Sequence, residues 1–104
     1  MTVNGNRTMI EKLAGAERAA AIGGLEGWSE AEDRDAIRKT FRFADFNAAF
    51  AFMARVAMMA EKTDHHLEWF NVYDRVEVTL SNYDASGVTG RDIRLAQFMD
   101  PAAS

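Results

Sequence analysis

Asp45 opens the longest helical pattern of the chain, which runs to about Lys62 and is apolar on two sides. Aspartate is a favoured N-cap because its carboxylate accepts a backbone N–H that the first helical turn leaves unpaired. Phe46, Ala49, Phe50, Met53, Val56, Ala57 and Ala60 fall on one stripe, while Ala48, Phe52 and Met59 fall roughly opposite, with Arg55 among them. Such a helix has two surfaces to cover. A chain of 104 residues holds one domain around one core. A sheet can therefore cover one surface, and the other, with Ala48, Phe52 and Met59, is expected to meet a second copy of the chain. Cover by the first and last helices would satisfy the pattern equally well.

The flanking segments supply the sheet. Leu25–Glu30, with Trp28 inside it, reads as a short strand, followed by a turn around Glu32-Asp33-Arg34-Asp35. Ile37, Phe41 and Phe43 then alternate with Arg38, Thr40 and Arg42, the mark of a half-buried strand. Beyond the long helix, Trp69–Tyr73 reads as a strand, Asp74-Arg75 as a tight connection, and Val76, Val78 and Leu80 alternate with Glu77, Thr79 and Ser81. Those two strands are expected to form a hairpin. At the front, residues 1–7 read as a loose tail. Thr8 and Glu11 make a capping-box pattern, and Ile10, Leu13, Ala14, Ala20 and Ala21 form a helical stripe ending at Gly23-Gly24. At the back, Asn82–Gly87 reads as a loop. Thr89 then caps a helix carrying Ile93, Leu95, Ala96, Phe98 and Met99, which Pro101 stops, leaving 101–104 as a second tail. The order α-β-β-α-β-β-α predicts a single α+β domain, a four-stranded antiparallel sheet with its helices packed on one face.

Composition narrows the function. A net charge of −4 argues against direct binding to the phosphates of DNA or RNA. With no cysteine, disulfides, thiolate nucleophiles and cysteine-ligated metals are excluded, which fits a reducing cytoplasm. No basic leader followed by an apolar run opens the chain, and no window approaches the ~18 consecutive apolar residues of a membrane span. The expectation is a soluble cytoplasmic protein.

Both histidines of the chain, His65 and His66, sit side by side just after the long helix, in the run Glu61-Lys62-Thr63-Asp64-His65-His66-Leu67-Glu68-Trp69. Histidine can both give and take protons near neutrality, so the pair, flanked by carboxylates, suggests proton transfer. Adjacent imidazoles make a poor chelate, and Glu68 adds only a third ligand without recognised spacing, so no metal site is expected. Taken alone, the pair reads more readily as a surface histidine and a helix-capping one.

The context changes that balance. Asp64-His65-His66-x-Glu68-Trp69-x-Asn71-Val72-Tyr73, preceded by Glu61-Lys62 and followed by Gly87-Val88-Thr89-x-x-Asp92, resembles the pterin-4a-carbinolamine dehydratase family, also known as the dimerisation cofactor of a homeodomain transcription factor. Arg34-Asp35-Ala36-Ile37, the run Phe41-x-Phe43-x-Asp45-Phe46-Asn47-x-Ala49-Phe50-x-Phe52-Met53-x-Arg55-Val56-Ala57, and Arg91-Asp92-Ile93-x-Leu95-Ala96 extend the likeness over roughly residues 25 to 100.

The resemblance implies a lyase that removes water from a 4a-hydroxytetrahydropterin to give a quinonoid dihydropterin, in tetrahydrobiopterin recycling, with no cofactor of its own. It implies His65 and His66 as the catalytic pair. Substrate would be bound by Asp64 and by the end of the later strand, Ser81, Asn82, Tyr83 and Asp84, with Glu61 and Asp92 as nearby acidic positions. Glu61 reads equally well as a solvated residue of the last helical turn, and Asp92 as a first-turn carboxylate stabilised by the helix dipole. Trp28 and Trp69 could wall a flat heterocycle, but a tryptophan in or beside a strand is more often core. The resemblance also implies a homotetramer, assembled partly through helix 45–62, although the sequence leaves dimer against tetramer open.

Two positions depart from the family pattern. Leu67 stands where the family usually has proline. Tyr83 stands where the family has a third active-site histidine, and a phenol is a poor base at neutral pH. That second change gives the competing expectation: a noncatalytic interaction module, oligomeric and transcriptional-cofactor-like, with weakened or lost dehydratase activity.

Overall fold

The computed structural model describes residues 11–104. Among these residues the chain forms α1 (Gly15–Gly23), β1 (Ser29–Glu30), β2 (Ile37–Arg42), α2 (Phe46–Lys62), β3 (Glu68–Val72), β4 (Arg75–Leu80) and α3 (Gly90–Ala102). The strands make one antiparallel sheet in the order β1-β2-β4-β3. This is the α+β architecture expected from the alternation of patterns.

Register sets the faces of the sheet. Ile37 pairs with Leu80, Lys39 with Val78, and Phe41 with Val76. Side chains alternate across a strand, so Ile37, Phe41, Val76, Val78 and Leu80 all enter the core while Arg38, Thr40 and Glu77 face outward. The helices pack on that apolar face, where Phe52, Val56, Leu95 and Met99 complete the core. Among the described residues no helix is long and apolar enough to cross a membrane.

The long helix has its expected bounds, with the Asp45 carboxylate accepting the Ala48 N–H at 2.8 Å. The division between its two apolar surfaces, however, falls elsewhere than expected. Phe52 is 0 % exposed, its ring 4.8 Å from that of Phe41 and 5.1 Å from that of Phe43, and Met59 also packs against the core. Ala49, Val56 and Ala60 are buried beside Phe52. The surface left over is formed by Phe46, Phe50, Ala57 and Met58, with Phe50 57 % exposed. The expectation that Phe52 belongs to an intersubunit surface is therefore wrong. Periodicity shows that two faces are apolar, but the aromatic rings of β2 and the residue after it decide which one the sheet takes.

Four boundaries also differ. Thr8 and Ile10, the start of the expected first helix, lie outside the described residues. Glu11 precedes the helix, which begins only at Gly15, where φ of +59° breaks any helical continuation from upstream. Lys12 and Leu13 instead lie along Thr89 and Val88, with the Leu13 N–H donating to the Val88 carbonyl at 2.8 Å. The strand expected over Leu25–Glu30 shrinks to Ser29–Glu30 because Gly27 turns the chain at φ +84°, leaving Leu25 and Trp28 to bury their side chains in the core. The β3–β4 turn is Tyr73-Asp74, Tyr73 adopting φ +51°, and Arg75 belongs to β4. Finally, α3 runs through Pro101 to Ala102. The missing proline N–H costs one bond, but the Ala103 N–H still reaches the Met99 carbonyl at 3.0 Å. The Ala102 carbonyl accepts from the Arg55 guanidinium at 2.8 Å, and Ala102 and Ala103 pack on the core, so 101–104 is not a loose tail.

Candidate active site

The end of α2 places the histidines. Thr63 donates its backbone N–H to the Met59 carbonyl, and Asp64 takes φ +53°, a left-handed conformation that aspartate tolerates better than most residues. The chain thereby reverses, and the His65 N–H returns to the Ala60 carbonyl at 2.9 Å. His65 points inward at 4 % exposed, whereas His66 remains at the surface.

Beneath His65 lies Asp92, 0 % exposed, in the first turn of α3. Its Oδ1 is 2.6 Å from His65 Nε2, and its Oδ2 accepts the Thr89 N–H at 2.8 Å and the Thr89 hydroxyl at 3.4 Å. The Thr89 hydroxyl in turn accepts the Arg91 N–H at 3.2 Å, completing a capping box. A carboxylate surrounded in this way acts only as an acceptor, so the imidazole donates from Nε2. In the neutral ring that leaves Nδ1 as the nitrogen able to accept a proton, with tautomer and ring orientation both fixed by the partner below.

Asp64, His65, His66, Ser81, Asn82, Tyr83 and Asp84 line one cavity of about 330 Å³. The structure thus brings together seven of the nine positions that the resemblance assigns to catalysis and substrate binding. Asp92 does not line the cavity and lies behind the wall, in contact with His65. Glu61 is exposed on the last turn of α2 and does not line the cavity, since it follows Ala57 by four residues on the outward side of the helix. Neither tryptophan reaches the cavity. Trp28 is core, its indole N–H on Asp100 Oδ1 at 3.2 Å, and Trp69 packs half-buried against the core.

The opposite wall is a tight loop. Asn82 and Gly87 exchange backbone hydrogen bonds at 2.8 and 3.2 Å, and the Asn82 Oδ1 accepts the N–H groups of Asp84 and Ala85. Asp35 holds both ends: its carbonyl accepts the Ser81 hydroxyl at 2.9 Å, and its Oδ1 accepts the Val88 N–H at 3.1 Å and Arg18 at 2.8 Å. Burial pushes the Asp35 carboxyl up, but the Val88 N–H and the Arg18 guanidinium outweigh it and hold the group below the usual carboxylate range. Gly87 is required here, because a Cβ would come within 2.6 Å of Asp35 Oδ2. Tyr83 rides on the loop beyond the end of β4 and is 93 % exposed, so the alternation of Glu77, Thr79 and Ser81 no longer governs it.

Three lining residues were not assigned to the site by the sequence reading: Leu67, Glu68 and Arg91. Glu68 forms a two-pronged pair with Arg34, both contacts at 2.8 Å, and the hydrogen bonds from Arg34 hold its carboxyl below the usual range. Arg91 puts a cation at the cavity immediately before the buried Asp92. Adjacency to Asp92 was the available signal for it. Among the described residues no group of three or more His, Cys, Asp or Glu is placed to hold a metal ion.

An antiparallel sheet backed by helices, with a buried histidine–carboxylate pair beside a small polar cavity, defines the class of this chain as an α+β protein with a small-molecule-sized site. The family profile described as Pterin 4 alpha carbinolamine dehydratase matches residues 11–102, and the chain belongs to that family. A relative from Paraburkholderia xenovorans (strain LB400), named as a pterin-4-alpha-carbinolamine dehydratase, is 62 % identical over 92 residues, covering 88 % of this chain and 96 % of its own. A relative of the same name from Nitrobacter winogradskyi is 57 % identical over 95 residues, covering 91 % of this chain and 94 % of its own. The crystal structure of a transcriptional coactivator/pterin dehydratase from Brucella melitensis superposes with a TM-score of 0.88 at 46 % identity, covering 90 % of this chain and all of that one.

Proposed function

We propose that this protein dehydrates a 4a-hydroxytetrahydropterin, as in tetrahydrobiopterin recycling in the cytoplasm, with His65 and His66 as its acid–base pair. The observation that carries this reading is the His65–Asp92 contact at 2.6 Å in the wall of the cavity. In the reaction the C4a–oxygen bond breaks, the adjacent ring nitrogen loses its proton, a carbon–nitrogen double bond forms and water departs. Both transfers are served by groups that exchange protons near neutrality, typically worth about 10²–10⁴-fold in rate.

His65, presenting Nδ1 from a ring locked by Asp92, suits proton removal from the ring nitrogen. His66, exposed at the cavity, suits donation to the departing oxygen. Asp64, Ser81, Asn82, Tyr83 and Asp84 supply polar edges for a pterin. Tyr83 offers a hydroxyl donor where the family has its third histidine, so the activity is expected to be lower than with histidine there. The outward face of α2, where the Phe46 and Phe50 rings lie 5.6 Å apart beside Ala57 and Met58, is proposed to carry a homo-oligomer, dimer or tetramer.

The test is single-turnover dehydration of 4a-hydroxytetrahydropterin by the purified protein and by a His65→Ala/His66→Ala double variant. Acceleration by the parent chain that falls about 10²–10⁴-fold in the variant is expected. An equal rate from the folded double variant would remove the assignment. Pterin binding without acceleration by the parent chain would favour the noncatalytic interaction module.

A further inference from the structure

Arg91 also borders a second cavity, of about 370 Å³, between α2 and α3. Met59 lines it from α2 and Thr63 from the cap of that helix; Arg91, Arg94, Leu95 and Phe98 line it from α3. We propose that this cavity binds an amphipathic organic anion, a carboxylate carrying an aromatic tail.

The spacing arranges the two chemistries end to end. Positions 91, 94, 95 and 98 recur at three and four residues and so share one face of α3, as 59 and 63 do at the end of α2. The two guanidinium groups come first along α3, and the apolar residues follow. Leu95 is buried, while Phe98 and Met59 are half-buried and pack against the core, so the floor is firm. From Arg91 to Phe98 the axis rises about 10 Å, the length of a phenyl ring on a short carboxylate chain.

Charge says which end of the ligand goes where. Among the described residues Lys12, Arg18, Arg34, Arg38, Lys39 and Arg75 each have a carboxylate partner and Arg55 a backbone carbonyl, while Arg42 and Lys62, which have neither, do not border this cavity. The side chains of Arg91 and Arg94 make no hydrogen bond or ion pair among those residues, although the chain carries a net charge of −4. Both also stand in the first two turns of α3, where the helix dipole opposes a cation. The one carboxylate of that turn, Asp92, is committed to His65 and Thr89. A bound carboxylate would relieve both deficits, while its ring covers Leu95, Phe98 and Met59. The Thr63 hydroxyl is already used on the Met59 carbonyl at 2.9 Å, which leaves the arginines as the polar anchor.

The site can be tested without the dehydration assay, because Arg94 borders the second cavity and not the first. The full chain is titrated by calorimetry with 4-phenylbutyrate, with butyrate and 4-phenylbutyramide as the matched probes lacking ring or charge. Saturable binding at one site per chain is expected, weakened by about tenfold or more when ring or charge is removed. Arg94→Glu should abolish it and Arg94→Lys should retain part of it, with the urea midpoint unchanged in both. Equal binding of butyrate would reduce the feature to a pair of surface cations. Binding that ignores Arg94→Glu would place the ligand elsewhere, and no binding up to about 10 mM, including through cover by a second copy of the chain, would overturn the proposal.

Discussion

Replacing Asp92 by asparagine should damage activity and stability together, and the structure says by how much. The aspartate accepts from three donors: His65 Nε2–H at 2.6 Å, the Thr89 N–H at 2.8 Å and the Thr89 hydroxyl at 3.4 Å. An amide of the same shape has one acceptor oxygen and one donor nitrogen. If the oxygen stays on the Thr89 N–H, the amide nitrogen faces His65 and drives the imidazole to the other tautomer, with Nδ1 protonated and unable to act as a base. If the oxygen turns to His65, two N–H donors oppose each other at the helix cap. Hydrogen bonds to a charged group are worth about 1.5–3 kcal/mol each, and a lost cap about 1 kcal/mol, so a destabilisation of about 1–3 kcal/mol is expected. Each kcal/mol should lower the melting temperature by about 4–8 °C. The first arrangement removes the base, so kcat should fall by about 10²–10⁴-fold.

The assay pairs single-turnover dehydration with urea unfolding followed by tryptophan fluorescence, and it includes Thr89→Ala as the contrasting variant. Thr89→Ala removes a capping hydroxyl but leaves the backbone N–H on Asp92. It should therefore lose about 0.5–2 kcal/mol of stability while largely keeping kcat. An Asp92→Asn variant with parental kcat would show that the His65 tautomer is irrelevant to the reaction. A kcat loss in Thr89→Ala equal to that of Asp92→Asn would show that the cap as a whole, rather than the carboxylate on His65, supports catalysis.

The two faces of α2 should respond differently. Phe52→Ala should cost about 3–5 kcal/mol in urea unfolding, and Phe50→Glu should leave unfolding nearly unchanged while lowering the oligomeric mass in light scattering. Either variant behaving as the other should would reverse the assignment of faces. At the loop, Tyr83→His should raise the dehydration rate and Tyr83→Phe lower it several-fold, the effect of about 1 kcal/mol in the transition state; no change in either would make Tyr83 a bystander. Asp35 and Glu68 have folded pKa values below their unfolded ones, so their stabilisation is present above the unfolded pKa and lost as pH falls through the folded value. The urea midpoint should accordingly drop between about pH 5 and pH 2, less steeply in Asp35→Asn.

Local chemistry was legible in the sequence wherever one residue decides the outcome. Asp45 and Thr89 cap the helices that their side chains indicate, and the alternation in Val76, Val78 and Leu80 fixes the buried face of β4. What could not be read depends on contacts distant in sequence. The rings of Phe41 and Phe43 select Phe52 over Phe50 for the core, and nothing within the helix encodes that choice. Both His65 and Asp92 stood out as separate positions, but their pairing across 27 residues did not follow from either motif. Glu61 shared the histidine segment yet is carried outward by helical geometry, while Arg91, beside a recognised aspartate, is carried to the cavity.

Asp92 gives the site a particular division of labour. Burying a carboxylate is costly unless every lone pair is engaged, and here the same three donors that make burial tolerable also cap α3 and orient His65. Under the proposed function, the cap of α3 and the orientation of His65 thus rest on one group, and a substitution there is expected to affect chemistry and stability together. The outer half of the cavity is built differently. Tyr83 and His66 are exposed, and the loop bearing Tyr83 is held through Asp35 by its ends, Ser81 and Val88, and by the Ser86 N–H on the Tyr83 carbonyl, with no hydrogen bond from the Tyr83 side chain among the described residues. Exposed cavity-lining groups can change there at little cost to stability. Under the proposed function, position 83 falls in that tolerant half, so either tyrosine or histidine there would leave the His65–Asp92 pair intact.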